Sequence, residues 1–92
     1  MIGCRESIVI VNQRGLHARA SAKFVNMVSD LPASCVVTVS KDGTEAAGGS
    51  ILGLMMLGAA EGDTIEIAVS GDNAEDVLEQ LAALVKDGFG ED

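Results

Sequence analysis

The chain has 92 residues, a formal net charge of −8 and two cysteines, with 48% hydrophobic residues and neither tryptophan nor tyrosine. That length suits one domain with one small aliphatic core, so residues 1–92 are read as a single domain. The acidic balance argues against nucleic acid as a partner, and the scarcity of aromatics leaves nothing to line a deep stacking pocket for a nucleobase or flavin.

Residues 6–11, ESIVIV, are β-branched and predict a strand with Ile8 and Ile10 on one face and Val9 and Val11 on the other. NQRG breaks that pattern. From Ala18 the sequence turns helical: Ala18, Ala22, Val25 and Val28 or Ser29 recur at helical spacing, with Phe24 and Met27 beside them, until Pro32. Residues 34–40 alternate, with Cys35, Val37 and Val39 facing one way. Asp42-Gly43 is a hairpin signal, and residues 44–48 form a weak return strand. Ser50 opens a short apolar helix, Ile51–Leu57, which Gly58 stops. Residues 64–70 alternate cleanly, placing Ile65, Ile67 and Val69 inward. Asn73 is the expected cap of a last helix, with Glu75 and Asp76 in its first turn. Its apolar stripe is Ala74, Val77, Leu78, Leu81, Leu84 and Val85; Gly88 closes it and residues 89–92 trail off.

The order is βαββαβα. Alternating strands imply a sheet with one buried face, and three one-sided helices can cover it. The expected fold is an α+β two-layer sandwich with a mostly antiparallel sheet and one solvated face. No apolar run reaches membrane-spanning length, and residues 51–60 are too short and too broken by glycine to do so. The N-terminus lacks the order of a signal peptide. Cys4 and Cys35 share no metal-ligand spacing and read as unpaired thiols of a cytoplasmic protein. Neither a metal nor a cofactor is expected. A monomer is, because the fold can cover its own core.

The stretch RGLHARASAKF, residues 14–24, holds the only histidine, His17. It lies in the one basic region of an acidic chain: residues 1–29 carry a net +3 and the remainder −11. If the helix starts at Ala18, His17 is its N-cap residue. The first-turn amides, that of Ala18 first, then point outward without intrahelical partners, and the helix dipole favours an anion there. A neutral imidazole is a nucleophile near pH 7. A phosphoryl group on its nitrogen would sit over those amides, with Arg19 and Arg14 placed to add charge-assisted contacts. The chain offers no second histidine, paired carboxylate or serine triad beside it. By residue type alone a lone histidine is usually structural, and that alternative stays open on the pattern.

GLHARASAKFV (15–25) resembles the active-site stretch of the HPr family, the histidine-containing phosphocarriers of the bacterial phosphotransferase system, whose usual form is G-[LIM]-H-[AT]-R-P-A. Residues 43–58, GTEAAGGSILGLMMLG, resemble the family's second signature, in which a serine opens the short second helix. That segment and the tail DGFGED look closer to the nitrogen-related branch, often called NPr, than to the sugar-transport carriers. The resemblance spans essentially the whole chain. It implies an open-faced, four-stranded antiparallel sheet covered on one face by three helices. It implies that His17 carries phosphate on Nδ1, given by Enzyme I from phosphoenolpyruvate and passed to an EIIA-type protein. Arg19 matches the family's active-site arginine, and Ser50 the serine that an HPr kinase/phosphorylase modifies in some lineages. Two positions depart from the pattern: Ala20 replaces the proline after the arginine, and Arg14 stands where a small polar residue, often Asn, precedes the histidine.

A carrier must hold a phosphoryl group without trapping it, so a protruding, solvent-facing imidazole is expected, with catalysis residing mostly in the partners. The segment ILGLMML has more apolar residues than a short helix can bury, which makes Ile51, Leu54 and Met55 candidates for partner docking. The alternatives are a non-transferring regulatory module that binds a protein through the Ser50 helix, and a small metal or redox domain using Cys4, Cys35 and His17.

Overall fold

Period-two alternation builds the sheet. The computed structural model describes residues 3–91. In it β1 (Gly3–Val9), β2 (Val36–Lys41), β3 (Thr44–Ala47) and β4 (Thr64–Ser70) form one antiparallel sheet in the order β1-β4-β2-β3. Ile65 of β4 lies opposite Ile8 of β1, and Ile67 lies opposite Val39 of β2. These side chains, with Val37 and Val69, are buried, while Val9, Val11 and Val36 remain exposed. That split is the signature of a sheet wet on one side. The first strand starts and stops earlier than its β-branched run. Ile10 nevertheless keeps its inward place, because its N–H donates to Asp63 O and its C=O accepts from Gly62 N–H, both at 2.8 Å. The β2–β3 hairpin turns at Asp42 and Gly43 with φ of 51° and 85°, the paired positive values that a primed turn needs.

Three helices cover the buried face: α1 (Ala18–Ser29), α2 (Ile51–Met56) and α3 (Ala74–Lys86). α3 packs on β1 and β4, and α1 packs on α2 and α3. The α3 stripe lies as the sequence predicts, except that Ala82 is buried and Leu84 only partly so. The inward face of α1 differs from the expectation: Ala20, Ser21 and Phe24 are buried and Ala18 is exposed. Alanines at 18, 20 and 22 point to several faces of the helix, so they do not fix its phase; the single large apolar residue, Phe24, does. Full burial of such a side chain contributes roughly 1.5–3 kcal/mol.

Ser50 caps α2 as expected, its Oγ accepting from Gly53 N–H at 2.9 Å. Asn73 occupies the N-cap position of α3 but makes no side-chain cap bond. Its φ of 59° shows why it is there: it supplies the left-handed turn that asparagine tolerates better than most residues.

The segment after Gly88 does not trail off. Gly88–Gly90 form a 3₁₀ turn, and Phe89 is wholly buried at φ 58°. Lys23 Nζ of α1 donates to Phe89 O at 2.6 Å. One of the chain's two phenylalanines thus pins the end of the described chain against the first helix, which sets up the site below. No helix of the described residues is long and apolar enough to cross a membrane.

Candidate functional site

The turn between β1 and α1 is fixed before the histidine is reached. Gly15 has φ 64°, and a Cβ there would meet Ala59 O at 2.2 Å and Ala60 Cα at 2.9 Å. Leu16 N–H donates to the same Ala59 O at 3.0 Å, and the Leu16 side chain is buried. Ser21, buried within α1, donates its hydroxyl to Leu16 O at 3.2 Å. Asn12 Nδ2 donates to Gly15 O at 2.8 Å. Only glycine combines that backbone angle with such close approach of a neighbouring chain.

His17 follows as the N-cap residue of α1, in extended conformation. Ser21 N–H is bonded to His17 O at 2.9 Å, so the amides of Ala18, Arg19 and Ala20 precede the helical ladder. The His17 side chain makes no capping bond to the helix. Its Nε2 lies 2.5 Å from Glu91 Oε2. Asn12 Nδ2 donates to the other oxygen of that carboxylate, Oε1, at 3.1 Å. These bonds from Asn12 and His17 hold the Glu91 carboxyl below its ordinary value.

The imidazole is therefore neither interior nor fully protruding. Its side chain is 22% exposed, because Glu91 covers the Nε2 edge. Gln13, Arg14, His17, Arg19 and Glu91 line a shallow cleft of about 410 Å³. Arg14 and Arg19 are exposed, and neither guanidinium makes an ion pair among the described residues. The cleft thus gathers the nitrogen, two cations and the unpaired amides of a helix start, a combination suited to a small multiply charged anion.

The remaining candidates divide. Ser50 caps α2, partly exposed. Ile51 and Met55 are exposed, as expected of docking residues. Leu54 is not: it is fully buried and belongs to the core, because it lies on the inward side of α2, which packs against α1 and β3. Leu52 and Met56, which the sequence reading did not single out, are the most exposed large apolar side chains at 68% and 75%. Cys4 and Cys35 are free thiols, and among the described residues no three His, Cys, Asp or Glu side chains cluster so as to hold a metal. Glu91 and Asn12 were not foreseen either. The only hint in the sequence was a phenylalanine placed between glycines just before Glu91, in a chain with so few aromatics.

Residues 4–87 match the family model described as "PTS HPr component phosphorylation site". The chain is 41% identical over 87 residues to the phosphocarrier protein HPr of Neisseria meningitidis serogroup B, covering 95% of this chain and 96% of that one. It is 34% identical over 88 residues to the phosphocarrier protein NPr of Escherichia coli K12, covering 96% and 97%. These identities do not favour the nitrogen-related branch. Its fold resembles the crystal structure of HPr-C-His from Thermoanaerobacter tengcongensis with a TM-score of 0.89, at 35% identity, covering 97% of this chain and 98% of that one.

Proposed function

The chain belongs to the HPr family of phosphocarrier proteins of the phosphotransferase system, and from that premise we propose that His17 is its phosphoacceptor. His17 Nδ1 accepts a phosphoryl group from an Enzyme I-type protein charged by phosphoenolpyruvate, and gives it to an EIIA-type protein. The observation that carries this reading is the placing of His17 at the N-cap of α1, with Nδ1 uncapped and Arg14 and Arg19 lining the same cleft.

In the transfer, the Nδ1 lone pair forms the new bond to phosphorus as the bond to the donor breaks. Charge spread over the three phosphoryl oxygens falls among the free amides of the helix start and the two guanidiniums. The cleft is open on the solvent side, so a partner can supply the in-line geometry and the water exclusion. That division of labour suits a carrier rather than a self-sufficient enzyme, working in the cytoplasm as a monomer. Ile51, Leu52, Met55 and Met56 give the partners an apolar face on α2. Ser50, partly exposed beside that face, is the position where a phosphate added by an HPr kinase/phosphorylase would repel an acidic partner.

The test is incubation with phosphoenolpyruvate and Enzyme I, followed by addition of an EIIA protein. The expected product is one phosphoryl group per chain, labile in acid and stable in base, which then passes to EIIA. Absence of uptake, or an acid-stable serine ester instead, would overturn the assignment and favour a regulatory module acting through the Ser50 helix.

A further inference from the structure

Taking His17 as the phosphoacceptor, we propose that Glu91 is a positioning residue: its carboxylate binds the proton on Nε2, turns the ring, and leaves Nδ1 as the lone-pair nitrogen.

An ionised carboxylate can only accept hydrogen bonds. Glu91 Oε2 lies 2.5 Å from His17 Nε2, so Nε2 must be the donor. In a neutral imidazole the proton on one nitrogen leaves the lone pair on the other. The bonds that depress the Glu91 carboxyl keep it ionised near neutral pH.

Glu91 is itself held from two directions. Asn12 Nδ2 bonds both Glu91 Oε1 and Gly15 O, and Asn12 is 5% exposed, which makes it a buried bracket rather than a mobile surface amide. Two residues earlier, Phe89 is buried and its carbonyl is tied to Lys23. A carboxylate so anchored can fix a ring that a free surface glutamate would not.

The same bond serves the phosphorylated state. When Nδ1 attacks phosphorus, the donor's bond to phosphorus breaks and the donor recovers its electron pair. The imidazole becomes an Nδ1-phosphoimidazolium that still carries its Nε2 proton. No proton has to leave, and the Glu91 carboxylate faces the new positive charge. Onward transfer reverses these changes, with neutral imidazole as the leaving group. The ring stands between the carboxylate and Nδ1, and Arg14 and Arg19 line the cleft, which limits repulsion between Glu91 and the phosphoryl oxygens.

The experiment compares the full chain with E91A and E91Q. In the unphosphorylated proteins, 1H–15N NMR of the ring reads the Nε2 proton. The wild type is expected to show it downfield and slow to exchange, E91A to lose it, and E91Q to retain a weaker form, since an amide oxygen still accepts but carries no charge. Phosphoryl uptake from Enzyme I is expected to fall about tenfold in E91A and less in E91Q, in line with loss of one charge-assisted hydrogen bond. An unchanged ring proton, or unchanged uptake, in a folded E91A overturns the proposal. The ring-proton measurement needs no phosphotransfer. If the wild type accepts no phosphoryl group, it is the carrier reading that fails, and the proton signal still reports whether Glu91 holds the ring.

Discussion

His17→Ala is expected to abolish phosphoryl uptake and to leave the fold intact. The chain has no second histidine to take over. The lost side chain belongs to no part of the core, and it makes no cap bond to α1. Its one described side-chain partner is Glu91, and an ion pair at the surface contributes little to stability. Activity and stability should therefore separate completely. Mass spectrometry after incubation with phosphoenolpyruvate and Enzyme I should find no phosphorylated variant, while its thermal midpoint stays within roughly 8 °C of the parent. Persistent acid-labile phosphate would move the acceptor to another residue.

Gly15→Ala should behave in the opposite way and damage both at once. Residue 15 sits at φ 64°, where a side chain costs about 1–2 kcal/mol, and its new Cβ would lie 2.2 Å from a backbone oxygen of residue 59. That oxygen is already bonded to Leu16 N–H and cannot retreat without loosening the turn. Overpacking adds about 1–3 kcal/mol. A combined loss of about 3 kcal/mol lowers the thermal midpoint of a chain this size by roughly 12–24 °C. The control is Gly43→Ala, where φ is 85° but no atom lies within 4 Å of the added carbon. Its loss should be close to the backbone penalty alone, and uptake should be unaffected. Equal thermal shifts in the two variants would show that contact with Ala59 does not clamp the histidine turn.

The sheet was readable in the sequence because alternation is a local signal: Ile65, Ile67 and Val69 announce their face without reference to anything else in the chain. The same holds for Asp42-Gly43, where two residues carry the turn by themselves. The α1 face was not readable, because alanines at the alternate positions 18, 20 and 22 satisfy several helical phases. Leu54 and Met55 differ by one step around a helix of six residues, and only the packing of α2 against α1 and β3 tells the buried one from the exposed one. The histidine's place at the helix start was legible from Gly15 onward. Its partner was not, since Glu91 is 74 residues away and reaches the ring only because Phe89 turns the chain back into the core.

The central claim is that phosphorus is carried by a particular nitrogen of His17 at the start of α1. It is tested most directly by 31P–15N coupling in the 15N-labelled protein after charging by Enzyme I. The expected spectrum shows one-bond coupling to Nδ1 with the proton retained on Nε2. Phosphorus coupled to Nε2, or no phosphorus on the ring at all, would contradict it.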